Sequence, residues 1–375
     1  MHSVSPRAPG AASASRALRL LPWLIASGLP LLVDGNTSGN LAYCLLWTFC
    51  AVGLAAMWGH GGILSFGQTA FFGLSGYTYG VVALNFGESW ITSWGSLLAG
   101  LLVSIAVAAL IGYMIFYGRI KGVFIGIVTL SLTLVLETFM AQTAGPRWAI
   151  GAARLNGYNG MVGLPQLTIP WPGGALPLEN ASFYYLVLAL LALVWWATRR
   201  LLDGTFGLAL AAIRENPQRA EMLGIDIRRH QLAIFVFGCA LGGLSGVLYA
   251  IWGSYITPSS MGLTSAALPV IWVATSGRKS IGGVILGTAL LVWLSQFLAV
   301  YGSQYALIIL GAILLFVVLL APQGLLPCVL GGLQRLAPRR QPAPPHGPRT
   351  AFEAGDGNKT AGNRTAAANT TGAKS

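Results

Sequence analysis

Long continuous runs of apolar residues constrain this chain more than any other feature of its sequence. A helix needs about 20 such residues to cross the hydrocarbon core of a bilayer. Charged residues make up only 9% of the 375 residues, too few to keep a soluble surface hydrated. Because the runs do not alternate apolar with polar residues, they favour helices over a β-barrel. We predict an all-α, polytopic membrane protein of about ten transmembrane helices, at residues 18–34, 41–58, 63–84, 93–117, 122–143, 182–198, 231–252, 264–277, 281–300 and 303–320.

Positive charge is distributed unevenly between the connecting segments. The formal net charge is +12. With the N-terminus inside, all 22 Lys and Arg residues except Arg147 and Arg154 fall on one side of the predicted bilayer. Cytoplasmic loops carry this excess in membrane proteins, so we predict that both termini are cytoplasmic. Topology explains the charge, and we expect no nucleic-acid partner.

Composition divides the chain into three parts. We predict a disordered cytoplasmic N-terminus at residues 1–17 and a disordered cytoplasmic tail at 331–375, because both are rich in small and polar residues with little to bury. Residues 18–330 form the transmembrane domain. Its external loop at 144–181 contains so many glycines and prolines that we expect no helix there.

The apolar run at residues 264–277 is unusually short. As a helix it would span about 21 Å, against about 30 Å for the hydrocarbon core. We therefore expect either a break around Pro269 or a continuation of a helix from before Pro258.

A short polar helix is predicted in the charged segment between the sixth and seventh runs. Asn216 is a good N-cap, Pro217 suits the first helical position, and Gly224 can adopt the left-handed conformation that ends a helix. Its acidic and basic residues are mixed, which favours a protein partner over adsorption to lipid headgroups. The alternative is an interfacial helix. The residues expected to contact a partner are Arg214, Glu215, Asn216, Pro217, Arg219, Ala220 and Gly224.

The run at 63–84 is too polar to face lipid on all sides. Its hydroxyl groups, the Gln68 amide and its glycines favour a passage for a zwitterionic solute, or alternatively close helix packing with interhelical hydrogen bonds. Glu137 is the one carboxylate well inside a predicted span, either on the same path or satisfied by Thr133, Thr138 and Gln142. The path candidates in the polar run are Ser65, Gly67, Gln68, Thr69, Phe72, Gly76 and Tyr77.

Residues suited to catalysis or metal binding are scarce. The four histidines and four cysteines show neither metal-ligand nor catalytic spacing. No phosphate-binding loop occurs, and the segment at 277–280 lacks the glycine that should precede its lysine. We expect no metal or cofactor in the chain and no enzymatic activity of its own. If ATP drives the protein, a partner must bind it.

Several segments together resemble the branched-chain amino-acid permeases of bacterial ATP-driven importers. The resemblance covers residues 41–326, and the block at 212–250 is its most specific part. The alanine and glycine of a broader importer docking loop match Ala220 and Gly224, while its leading glutamate is absent. The matching segments are residues 60–73, 76–77, 119–124, 156–160, 212–225, 241–250 and 321–325.

The resemblance implies a bacterial inner-membrane subunit that works by alternating access. It implies ATP-binding subunits that dock on residues 214–224, a second homologous permease and an external solute-binding protein. It also implies that the polar run at 62–77 lines the translocation path.

The sequence is compatible with more than one substrate and more than one class of transport protein. Branched-chain amino acids are expected first, but residues 270–274 and the turn at 277–278 resemble urea or short-chain amide permeases of the same group. A stand-alone channel or an ion-coupled carrier is a further alternative, and a membrane-bound enzyme the last. Few ionisable residues lie within the spans, which disfavours both a proton-coupled carrier and an enzyme.

Overall fold

The computed structural model describes residues 22–87, 89–171, 174–302, 308–309 and 311–312. Internal contacts divide the chain into two units, Met1–Gln334 and Arg335–Ser375, and every described residue belongs to the first. The predicted disordered ends, at 1–17 and 331–375, lie outside the described residues.

The described residues are mainly helical, with six short strands. A π-helix at Ala56–His60 extends the second α-helix, and 3-10 helices lie at Gly157–Asn159 and Pro258–Met261. The strands are β1 (Ala149–Ile150), β2 (Ala153–Arg154), β3 (Met161–Val162), β4 (Thr168–Trp171), β5 (Gly174–Pro177) and β6 (Tyr255–Ile256). The α-helices are α1 (Pro22–Leu32), α2 (Gly35–Ala55), α3 (Gln68–Phe86), α4 (Trp90–Tyr117), α5 (Val123–Ala141), α6 (Asn180–Leu202), α7 (Thr205–Glu215), α8 (Pro217–Met222), α9 (Ile227–Gly253), α10 (Leu263–Ser276) and α11 (Ile281–Gly302).

Six helices among the described residues are long and apolar enough to cross a membrane. They are α2 with its π-helical extension, α4, α5, α6, α9 and α11. The predicted spans at 18–34 and 264–277 coincide with the shorter helices α1 and α10, and the polar run coincides with α3. Most of the predicted span at 303–320 lies outside the described residues. The fold is that of a multi-pass, mostly α-helical membrane protein.

The centre of the bundle is formed by α2 and α9. In the most apolar stretch of each helix, 83% of α9 and 78% of α2 is buried, against 22% of α5 and 28% of α4. The outer helices α4 and α5 expose large apolar side chains such as Leu102, Leu110, Val123 and Phe124. Such a surface suits contact with lipid.

Glycines let the central helices approach closely. An added Cβ on Gly246 of α9 would overlap the carbonyl oxygen of Phe72 on α3, and one on Gly53 of α2 would lie 2.5 Å from the carbonyl oxygen of Gly238 on α9. Ser75 Oγ on α3 donates a hydrogen bond to Gly243 O on α9 at 2.6 Å. Small residues and hydroxyls at helix crossings are the usual means of packing in membranes. The glycines of α9 therefore serve close helix packing.

The segment between α5 and α6 is organised by short strands. The strands form three antiparallel pairs, β1–β2, β4–β5 and β3–β6. Asn85 Nδ2 donates to Ile150 O at 2.7 Å, and Tyr79 Oη donates to Pro165 O at 2.5 Å, so the end of α3 anchors this segment. Its described part contains no α-helix, as predicted, but it does contain one 3-10 turn.

The short helix α10 differs from both sequence-based expectations. It continues through Pro269 without a break, over 14 residues. It does not extend an earlier helix, because α9 ends at Gly253 and strand β6 and a 3-10 turn intervene. Ser254 adopts a left-handed conformation, with φ of 53°, which turns the chain out of α9.

Candidate coupling surface and transport path

The short polar helix predicted near residue 216 is present as α8. Asn216 is extended, with φ −153° and ψ 100°, and its Oδ1 accepts a hydrogen bond from Arg219 N at 3.0 Å. Pro217 follows as the first helical residue. Both residues start the helix as the sequence indicated, since the side-chain oxygen satisfies a free N–H and proline needs none.

The end of α8 also follows the prediction. Gly224 has φ of 81°, and its N–H donates to Glu221 O at 2.9 Å. The next N–H, of Ile225, reaches back to Ala220 O at 3.1 Å. This pair of bonds is a Schellman motif, which requires a left-handed residue.

The exposed face of α8 is more apolar than the sequence analysis recognised. Met222 is 88% exposed and Leu223 is 78% exposed, while Ala220 is buried against the bundle. A cleft of about 580 Å³ lies between α7 and the start of α9, with Ile225 among its lining residues and Phe206 stacked on His230 at its wall. Glu215, Pro217 and Arg219 are exposed. Apolar side chains rimmed by polar groups are characteristic of an interaction surface.

Arg214 faces the bundle rather than the exposed side of α7. It is half-buried, and its Nη1 donates a hydrogen bond to Gly59 O in the π-helix. Its aliphatic part packs against Gly62, where an added Cβ would lie 2.9 Å from Arg214 Cγ. Gly59 also touches the carbonyl oxygen of Arg278, in the turn between α10 and α11. Arg214 therefore connects α7 to the point where the π-helix and that turn meet.

A non-helical segment at residues 61–67 leads into α3. Phe66 N donates to Thr129 Oγ1 on α5 at 3.1 Å, and Gly67 N donates to Ser65 Oγ at 3.2 Å. Irregular backbone in a membrane protein is tolerated where protein groups satisfy it. Ser65 and Gly67 thus have a structural role at the beginning of the predicted path.

Three path candidates on α3 are buried with polar atoms that find no partner among the described residues. Both amide atoms of Gln68, Thr69 Oγ1 and Tyr77 Oη form no hydrogen bond there, and these side chains are at most 3% exposed. Trp272 Nε1 on α10 is also buried and forms no hydrogen bond among the described residues. Buried polar groups are normally paired, so these are the atoms that a water or a solute could satisfy.

Phe72 belongs to an aromatic cluster that the sequence analysis did not identify. Its ring stacks on Trp47 of α2 with centroids 4.7 Å apart, and lies 5.2 Å from Tyr249 of α9. Trp272 of α10 lies 5.4 Å from Trp47. The four rings of this cluster come from four helices, α2, α3, α9 and α10. Gly76, one turn further along α3, packs against Gly246 O.

Glu137 has different neighbours from those expected. It forms no hydrogen bond to Thr133, Thr138 or Gln142 in the structure, and Thr133 Oγ1 donates instead to Thr129 O at 2.9 Å. The Glu137 carboxylate lies against Gly262, where an added Cβ would be 2.8 Å from Oε1. Of the two interpretations of Glu137, pairing with these three side chains finds no support in the described residues, where tertiary packing brings Gly262, at the start of α10, to the carboxylate.

Comparison with known families gives a match over residues 36–318 to the model described as the branched-chain amino acid transport system permease component. The chain belongs to this family. The LivM permease of the high-affinity branched-chain amino acid transport system of Escherichia coli K12 is 25% identical over 328 residues, covering 81% of this chain and 73% of LivM. No solved structure gives a significant match.

Two further relatives are similar to the chain. LivH, a permease of the same Escherichia coli K12 system, is 24% identical over 301 residues, covering 78% of this chain and 93% of LivH. The nucleoside ABC transporter permease NupC of Lactococcus lactis is 28% identical over 219 residues, covering 57% of this chain and 65% of NupC. As a member of this family, the chain is a multi-pass permease subunit of the ABC-importer type.

Proposed function

We propose that this permease imports branched-chain amino acids across the bacterial inner membrane by alternating access, with ATP hydrolysed in separate subunits. The family match over residues 36–318 carries the proposal. Two permeases of one branched-chain amino acid system, LivM and LivH, both resemble the chain. That pairing supports a second homologous permease as a partner.

The coupling surface is proposed to be α8 with the adjoining face of α7, on the cytoplasmic side together with both termini. Strand β5 precedes α6 and α7 follows it, so the strands and the coupling surface lie at opposite ends of a 23-residue helix. That helix is about 35 Å long, enough to separate the two sides of a bilayer. The external solute-binding protein is then expected to meet the strand-bearing side.

Motion of α8 is proposed to enter the bundle through Arg214. This side chain bonds the π-helix backbone at Gly59, and the following non-helical segment leads directly into α3. A displacement of α7 would therefore reach the buried polar atoms of Gln68 and Thr69. Discrete rearrangement of packed elements is the general basis of such switching.

The path itself is proposed to run along α3, through the unpaired polar atoms of Gln68, Thr69 and Tyr77. The aromatic cluster around Phe72, whose rings come from neighbouring helices, is proposed to be the barrier on this route. Glu137 remains a candidate at the side of α5 that meets α10.

Reconstitution tests the transport class. The chain, its second permease and the ATP-binding subunits are incorporated in liposomes with the binding protein, and radiolabelled leucine uptake is measured with and without ATP. Uptake that requires ATP and all subunits is expected. Leucine or ion-driven flux through the chain alone would instead establish a channel or carrier.

The same liposomes decide the substrate. Leucine, isoleucine and valine are expected to compete with one another for uptake. Nucleosides are the second candidate because of the similarity to NupC, and urea is included because of residues 270–274. Competition by a nucleoside or urea, without competition by isoleucine, would replace the proposed substrate.

A further inference from the structure

A second cleft, of about 750 Å³, lies at the periphery of the bundle. It is lined by α1, α2, α6 and α11, and none of its lining residues belongs to α3 or α9. It is therefore separate from the path proposed for the solute. Its wall is largely apolar, with Trp23, Leu45, Leu188, Leu191 and Ile285 among the lining residues.

The ionisable groups of the cleft are gathered where its helices end. Arg199 lies in the last turn of α6, Lys279 in the turn before α11, and His60 at the end of the π-helix. Asp203, just after α6, lines the same end. In the described part of the chain neither Arg199 nor Lys279 forms an ion pair with a carboxylate. The Arg199 guanidinium instead lies over the Trp195 ring, 5.2 Å from its centroid.

The apolar part of the cleft has the depth of one lipid leaflet. From Arg199 to Leu188 along α6 the helical rise is about 16 Å, and from Ile281 to Ala289 along α11 it is about 12 Å. Half of a hydrocarbon core of about 30 Å lies between these two lengths. A ligand that fits this shape has a charged head and an apolar tail of about 15 Å.

We propose that this cleft is a binding site for an anionic glycerophospholipid of the phosphatidylglycerol type. Its phosphate lies between Arg199 and Lys279, and an acyl chain lies along α6 and α11. Among the described lining residues, Arg199, Lys279 and the Asp203 carboxylate leave one positive charge, which matches the single negative charge of this headgroup. The proposal rests on the membrane location of the chain and not on its proposed substrate.

Native mass spectrometry of the full-length chain in mild detergent tests the site, with phosphatidylglycerol and phosphatidylethanolamine added separately. The wild type is expected to retain one phosphatidylglycerol in preference to phosphatidylethanolamine. Lys279→Gln and Arg199→Gln should each weaken retention about fivefold, the factor for one cation near a headgroup. Arg200→Gln is the matched control, because Arg200 is the next residue on α6 but does not line the cleft.

Asp203→Asn distinguishes between an anionic and a zwitterionic lipid as the occupant of the cleft. Removal of the carboxylate should strengthen retention of phosphatidylglycerol, whereas a bound phosphatidylethanolamine would lose the partner of its ammonium group and be retained less well. Size-exclusion profiles that match the wild type establish that each variant is folded. Lys279→Gln keeps the test valid if Arg199→Gln misfolds through loss of its contact with Trp195.

Three results would overturn the proposal. An equal loss in Arg200→Gln and Lys279→Gln would show non-specific attraction to a basic surface. A preference of the wild type for phosphatidylethanolamine would contradict the charge match. A wild type that retains neither lipid would show that protein, either another part of this chain or a second permease, covers the cleft.

Discussion

Replacement of Gly224 by alanine isolates the contribution of the α8 cap to transport. Gly224 has φ of 81°, and an added Cβ there would meet no atom within 4 Å. The substitution therefore adds no steric clash, only the cost of a left-handed alanine, about 1–2 kcal/mol. That cost shifts the balance between capped and frayed α8 by a factor of about 5–30. A helix of six residues cannot compensate, because isolated short helices are marginal in water.

Leucine uptake in the complete reconstituted importer measures the effect. We expect Gly224→Ala to reduce uptake per ATP hydrolysed about fivefold or more, with unchanged yield of the membrane-inserted chain. Gly163→Ala is the matched control, since Gly163 also has a positive φ, 72°, and open space around an added Cβ, but lies beside β3. Normal uptake by Gly224→Ala, or an equal loss in Gly163→Ala, would refute the role assigned to the cap.

Three other substitutions test separate parts of the account. Gly246→Ala should strongly reduce the yield of folded chain, because the new Cβ overlaps Phe72 O. Gly95→Ala, whose new Cβ meets no atom within 4 Å, should leave the yield unchanged. Equal yields of the two variants would contradict the close crossing of α3 and α9. Gln68→Leu should raise the free energy of unfolding by about 1 kcal/mol or more, because it removes a buried amide that has no partner among the described residues, and it should also reduce uptake. A Tm below that of the wild type would show that Gln68 has a partner. Asn216→Ala should lower the stability of α8 by about 0.5–2 kcal/mol and reduce coupled uptake, because the N-cap hydrogen bond is lost. Asn216→Asp should retain the cap and near-normal uptake. Equal uptake by the two variants would contradict a role of the cap in coupling.

Local chemistry made the α8 region predictable from the sequence. Asn216, Pro217 and Gly224 act through bonds to residues only a few positions away, so their effects can be recognised without knowing the fold. The apolar runs were equally informative about helix positions, because the hydropathy of a membrane segment is a property of consecutive residues. The short strands between α5 and α6 carried no comparable signal, since none exceeds four residues.

Long-range contacts account for what the sequence analysis missed. Arg214 belongs to the predicted docking segment, but its bond to Gly59 joins residues 155 positions apart. The cluster of Trp47, Phe72 and Trp272 draws on three helices whose neighbourhood no local pattern encodes. Glu137 is a further example, because Thr133, Thr138 and Gln142 are its neighbours in sequence, whereas the structure places Gly262 against its carboxylate.

Site-specific cross-linking at Met222 tests whether α8 is the surface that contacts the ATP-binding subunit. A photoreactive amino acid is placed at this exposed position of α8 in the assembled importer, with exposed Val162 in β3 as the control position. We expect a cross-linked product with an ATP-binding subunit at Met222 and no such product at Val162. A product with the external binding protein at Met222, or with the ATP-binding subunit at Val162, would contradict this expectation.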